Sequence, residues 1–167
     1  MELTCFVETP QGSRNKYEYD EQAKTIKLDR RLFSSVVFPA DYGFIEGAFT
    51  EDGRPIDALV LVTEPTFPGC RIDARPIGIF QMHSEEGIDD KVVCVPLHDP
   101  DWEKVHDLGD VPERQLDEVA HFFSIYKEFV PHGVTAIEGW AGREVAVRVI
   151  EDAQRRAGEQ SRPEAPA

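Results

Sequence analysis

Positive charge is what this sequence has least of. Its 167 residues carry 18 Lys and Arg against 32 Asp and Glu, a formal net charge of −14 with neutral histidines. A chain of that sign repels polyanions at long range, which excludes a general nucleic-acid binder and a protein that rides on anionic lipid. Cysteine is scarce as well. Cys5, Cys70 and Cys94 are far apart and odd in number, so they read as reduced, packed thiols of a cytoplasmic protein and not as a disulfide framework or a metal cluster. No apolar run is long enough to span a bilayer, and the opening MELTCFVETP lacks the basic stretch and apolar run of a secretory signal. There is no internal repeat, no glycine-rich phosphate loop and no nucleophile elbow.

What is present suits one globular domain. The hydrophobic fraction is 41% and the aromatic fraction 10%, enough for a sizeable core. The first hundred residues read as strands and turns. TCFVET alternates and stops at Pro10; NKYEYD and KTIKLD flank EQA as a hairpin. YGFIEGAF follows, then IDALVLVT, whose nearly continuous apolar run predicts a strand buried on both faces. CRIDARPIGIFQM reads as a long strand with a proline defect, and DKVVCVPL as a short one. The period then becomes helical. Asp110 is the expected N-cap, with Pro112 in the first turn, and Leu116, Val119, Ala120, Phe123 and Tyr126 form one face. Gly133 and Gly139 bound a short strand, VTAIE, and a last helix is expected from Ala141 to Arg156. The expectation is a single domain over residues 1–156 with a disordered polar tail over 157–167. The fold class is α+β, a small twisted barrel or curled sheet with two helices packed on it.

Several residues could carry chemistry. Asp52 and Asp57 flank a turn that lets both carboxylates point into one space, and SEEGIDDK adds a second acidic patch before a strand. Hard cations such as Mg²⁺ need only a few convergent carboxylates because they keep several waters. Lys16 and Glu18 share a strand face, Arg30 follows a strand, Lys91 follows Asp89 and Asp90, and Tyr126 and Lys127 lie on the first helix. Each alone reads as an ordinary surface charge. Together, carboxylates, cations and phenols suit a metal-bound polyanion, typically a phosphate. The histidines have no ligand spacing; His121 falls on or near the apolar helix face, and His83 stands beside Ser84 as a candidate acid or base.

These segments, in order, resemble the soluble inorganic pyrophosphatases of the first, Mg²⁺-dependent, single-domain family in its bacterial form. The resemblance runs through VETPQGSRNKYEYD, LDR, FPADYGFI, DGRPIDALVL, ARPIG, DDKVVCVP, DLGDVPE, HFFSIYK and IEGWAGREVA, nearly the whole chain. It implies a five-stranded barrel of oligonucleotide-binding type with helices, assembly as a homohexamer, and hydrolysis of diphosphate to two phosphates with Mg²⁺ as cofactor. By position it implies that Asp52, Asp57 and Asp89 hold the first metal. Glu8 and Glu18 match outer carboxylates that act mostly through water or near later metals, Glu18 being counted among the metal ligands. Lys16, Arg30, Tyr126 and Lys127 match groups that hold the phosphates, with Lys91 among them and close to the reacting groups. Tyr42 matches a tyrosine lining the site.

The sequence departs from that pattern at the centre of its signature. The turn Asp52-Gly53-Arg54-Pro55-Ile56-Asp57 has Arg54 where the family has an aspartate that prepares the attacking water. A guanidinium accepts no proton. Ser84 stands where another acid is usual, and Phe38 where a tyrosine is common. Two expectations follow for Arg54. It pairs with Glu51 or Glu46 on the rim and leaves the site disabled, or it contacts a phosphate in place of a metal. Glu85 or Glu86 is a candidate to replace the acid missing at Ser84. Three functions stay open: a Mg²⁺-dependent pyrophosphatase with impaired or altered activity, an enzyme repurposed for another anionic or diphosphate-bearing molecule, and a non-catalytic binding subunit.

Overall fold

A computed structural model describes residues 1–160 of the chain. Five strands close into a ring: β1 (Leu3–Thr9), β4 (Asp41–Phe49), β5 (Pro55–Val60), β8 (Lys91–Pro96) and β6 (Arg71–Ser84), with β6 pairing back onto β1. All neighbours are antiparallel except β5 and β8, which run parallel. The hairpin expected from NKYEYD and KTIKLD is β2 (Asn15–Asp20) with β3 (Thr25–Arg31), a separate two-stranded sheet. Two further strands extend β6: the two-residue β7 (Gly87–Ile88) and β9 (Thr135–Gly142).

Closure divides the apolar residues into two cores by strand alternation. Ile56, Ala58, Val60 and Val62 point to one side, where they meet residues of all five ring strands and Ala146, Ile150 and Ala153 of the helix α2 (Arg143–Gln160). Leu59 and Leu61 point to the other, under the helix α1 (Glu113–Ile125) with its Val119, Phe122 and Phe123. The run IDALVLVT is therefore buried on both faces, as its composition predicts. Cys5 and Cys94 lie in the barrel interior as free thiols, and Cys70 is a partly buried one. Pro76 marks the defect in β6: the register with β8 slips between Pro76 and Gly78, where the missing N–H is tolerated.

The helix ends differ from expectation. Asp110 does not cap α1. It closes a 3-10 turn over Leu108–Asp110, and its carboxylate accepts the N–H groups of His106 (2.9 Å) and Asp107 (3.0 Å). Pro112 occupies the cap position without a side-chain bond. The strand expected to end at Gly139 continues to Gly142, because Gly139 takes a positive φ of 134° and Trp140 to Gly142 then pair with β6. So α2 starts at Arg143, whose N–H is taken by Asp107 (3.1 Å), and runs to Gln160, beyond Arg156. The rest of the expected tail, 161–167, lies outside the described residues.

Candidate active site

The ring brings one face of β4, β5 and β8 to a shared end, and a buried lysine marks it. Lys91, the first residue of β8, is 1% exposed. Burying an ammonium is costly unless opposite charge surrounds it. Here Nζ donates to Asp57 Oδ2 (2.7 Å), Asp89 Oδ1 (2.6 Å) and the Asp89 carbonyl (3.0 Å). Burial pulls its pKa down, but the two aspartates outweigh burial and hold it above the ordinary lysine value. The rings of Tyr42 (5.8 Å) and Phe123 (5.6 Å) face the same ammonium. Tyr42 also donates its hydroxyl to Asp57 Oδ2 (2.9 Å).

Both phenols of the site stay protonated. Burial, then the charge of Asp57, pushes Tyr42 well above the ordinary tyrosine value; burial, then Asp89 and Asp57, does the same to Tyr126. Tyr126 stacks on Phe122 (5.6 Å between centroids) and meets Phe123 edge-on (5.2 Å). Glu8 belongs to the same neighbourhood. It accepts the Tyr19 N–H (2.7 Å), and burial, partly offset by that bond and reinforced by Asp57, raises its pKa to about 7. Phe38, where a hydroxyl was thought missing, is buried between Tyr42 and Phe122.

Cations ring this centre. Lys16 bonds Glu18 and Asp29 Oδ2 (3.2 Å), and Arg30, its register partner on β3, bonds the same Asp29 oxygen (2.9 Å). Lys127 holds both oxygens of Glu85 at 3.2 Å. Asp29 has no role in the sequence pattern, and Phe123 figures there only as part of the apolar face of the first helix. Only LDRR, an acid next to two cations, hinted at the first, and nothing local marks a core phenylalanine as the floor under a lysine.

The structure corrects two expected placements, those of Arg54 and His121, and engages Asp52 and Glu18 with near neighbours. The Asp52 carboxylate accepts from the Thr50 hydroxyl and from Arg54 Nε (2.8 Å), donors of its own turn. Glu18 turns to Lys16 across one residue of the same strand face. Arg54 pairs with neither Glu51 nor Glu46. It bonds Asp52 and, through Nη1, Glu86 Oε2 (2.6 Å), while Glu46 is held by Arg71 (2.8 Å). Ser84 accepts the Glu86 N–H (3.2 Å) and shapes the hairpin tip. His83 pairs with Glu138 (2.7 Å), and His121 is exposed on α1, outside the core.

Among the described residues no three His, Cys, Asp or Glu side chains converge as a closed metal site. The donor set still fits a hard cation that keeps its waters. Asp57 Oδ1 and Asp89 Oδ2 take no hydrogen bond among the described residues, so each carboxylate has an oxygen left for such an ion. Concave surfaces lie elsewhere, one at Val62, Thr66, Asp99 and Asp101, another at Phe6, Phe44 and Arg71. The first has acids but no cation and the second sets Glu21, Glu46 and Arg71 among aromatic rings; neither holds a buried ammonium between carboxylates, and the ring of charges at Lys91 is the better candidate.

A five-stranded ring with carboxylates, buried lysine, phenols and peripheral cations at one end defines a barrel protein equipped for a small polyanion. Comparison with known proteins agrees. The family model described as inorganic pyrophosphatase matches residues 5–158. The chain is 47% identical to an inorganic pyrophosphatase of Methanosarcina mazei, over 93% of this chain and 92% of that protein. It is 48% identical to one of Streptomyces coelicolor, over 93% and 96%. The solved inorganic pyrophosphatase of Thermus thermophilus superposes with a TM-score of 0.91 at 39% identity, covering 94% and 91% of the two chains. The chain belongs to the inorganic pyrophosphatase family, hydrolases acting on diphosphate.

Proposed function

We propose that this chain hydrolyses diphosphate to two phosphates with Mg²⁺, more slowly than a member with an aspartate at position 54. The observation that carries the reading is the buried ammonium of Lys91 between Asp57 and Asp89, with Tyr42 on the same oxygen. When bound, Mg²⁺ supplies positive charge on the phosphate oxygens and lowers the pKa of a bound water. Asp57 and Asp89 would hold it. Lys91 fixes the two carboxylates relative to each other and keeps its charge beside them. Tyr126, with its proton retained, and Lys16, Arg30 and Lys127 present donors to phosphate oxygens, each cation leaving a carboxylate partner to do so. At position 54 the chain offers a donor where a proton acceptor would serve an attacking water, which is the reason for the expected low rate.

A second reading has its own support. Arg54 engages Asp52 at 2.8 Å, which leaves the same cluster open to another phosphate-bearing small molecule, or to binding one without hydrolysis. The test is phosphate release from diphosphate with Mg²⁺, on protein freed of any host pyrophosphatase, beside the Arg54→Asp, Ser84→Asp double variant. Turnover by the natural chain, raised roughly tenfold or more in the double variant, is the expected result. A natural chain and a double variant that are both silent would remove hydrolysis from the reading. The same preparation, measured by light scattering, tests the homohexamer that the family resemblance implies. No helix among the described residues is long and apolar enough to cross a membrane.

A further inference from the structure

Two turns meet through Arg54 at the mouth of the site. Arg54 lies at the end of the β4–β5 turn, and its guanidinium reaches Asp52 with Nε (2.8 Å) and Glu86 with Nη1 (2.6 Å). Glu86 is at the tip of the β6–β7 hairpin. Its neighbour Glu85 is held by Lys127 through both oxygens (3.2 Å) and by the Val134 N–H (3.3 Å). One hairpin tip thus offers two carboxylates to two cations, and the chain runs from that tip straight into Asp89 and Lys91.

We propose, resting on the diphosphate reading, that the Arg54–Glu86 pair is a latch opened by substrate: Glu86 holds the guanidinium at the mouth, and a phosphate oxygen takes its place on Nη1. Three features support this. Arg54 has five N–H donors, of which Nε and Nη1 are engaged among the described residues, and its planar fork suits phosphate oxygens. Arg54 is 52% exposed and Glu86 65%, and pairs so open to water are weak enough for a charged oxygen to compete. Asp52 holds Nε from two residues away in the same turn, a local contact, so the guanidinium stays near its position when Glu86, brought in from the other hairpin, lets go. The Lys91 ion pairs differ in this respect: they are enclosed and act as framework. Glu86 is a positioning residue, because it acts on substrate only through Arg54.

The experiment is calorimetric binding of methylenediphosphonate, a diphosphate analogue that is not hydrolysed, with Mg²⁺ present. Glu86→Gln should tighten binding about two- to fivefold, the range expected for releasing one exposed ion pair. Arg54→Met should weaken it, and Glu86→Gln should add nothing in the Arg54→Met background. Glu51→Gln removes the same charge from an exposed neighbour on the same rim and should change binding less than Glu86→Gln. Equal tightening by Glu86→Gln with and without Arg54, or none at all, overturns the latch. A chain that shows the pattern but releases no phosphate keeps the latch and loses hydrolysis. One that hydrolyses diphosphate without the pattern keeps hydrolysis and loses the latch. A chain that neither binds the analogue nor releases phosphate loses both.

Discussion

Glu8 is the residue whose ionisation most directly couples this site to stability. Its pKa of about 7 lies above the ordinary glutamate value because burial and the charge of Asp57 disfavour the carboxylate more than the Tyr19 N–H favours it. The folded chain therefore binds this proton more tightly than the unfolded chain does. The stabilising contribution is fully present below the unfolded value, and it is lost as pH rises through about 7. Glu8→Gln keeps a carbonyl to accept the Tyr19 N–H and removes the titration. Relative to the natural chain, it should be nearly neutral at pH 5 and more stable by about 1–3 kcal/mol at pH 8. Urea unfolding at the two pH values measures this, and the same difference at both would show that Glu8 does not titrate in that range. At this scale the sequence was legible for residue type and less so for partner. Lys91, Asp57, Asp89 and Tyr42 do assemble. Arg54 lies among four acids in sequence or space, and which two it takes depends on where the β6–β7 hairpin brings Glu86, a fact of tertiary structure.

The elements follow the hydrophobic pattern closely, and they depart from it where backbone geometry or a distant partner decides. Strand alternation is a local property, so β1 to β6 and β8 were readable. Asp110 looked like a cap because only its own neighbours were in view; Asp107, which ends up beside both the 3-10 turn and the start of α2, belongs to neither helix in sequence. Gly43 shows how tightly the ring is drawn. It pairs with Val7 on one side and Ala58 on the other. A Cβ there would lie 1.9 Å from the Phe6 carbonyl oxygen and 3.0 Å from the Glu8 nitrogen, both backbone atoms of β1. In a closed sheet β1 cannot step aside without straining its pairing with β6. Gly43→Ala should therefore cost about 3 kcal/mol or more, where Gly109→Ala, with nothing within 4 Å of the new carbon, should be close to neutral. Thermal unfolding of the two variants compares them directly, and an unaffected Gly43→Ala would mean that β1 and β4 are not held at this spacing.

At the scale of the whole molecule the shortage of positive charge returns as an energetic term. The 18 positive charges neutralise at most 18 of the 32 negative ones, leaving an excess of 14. Local ion pairs and this global repulsion respond to salt with opposite signs. The surface pairs, such as Lys24 with Glu21 and Arg155 with Asp152, lie open to water, and screening weakens them. The repulsion sums over every uncompensated acid, and going from about 0.01 M to 0.15 M salt shortens its reach from roughly 30 Å to roughly 8 Å, less than the span of the domain. The repulsive term should win, so the melting temperature should rise by several degrees over that range of sodium chloride. A cation bound at Asp57 and Asp89 would also raise it, but tetramethylammonium chloride, too bulky and weakly coordinating for carboxylate oxygens, separates the two causes. Equal rises in both salts identify screening; a rise with sodium alone identifies binding. A melting temperature that is flat or falls in both salts would mean that the paired charges outweigh the unpaired ones.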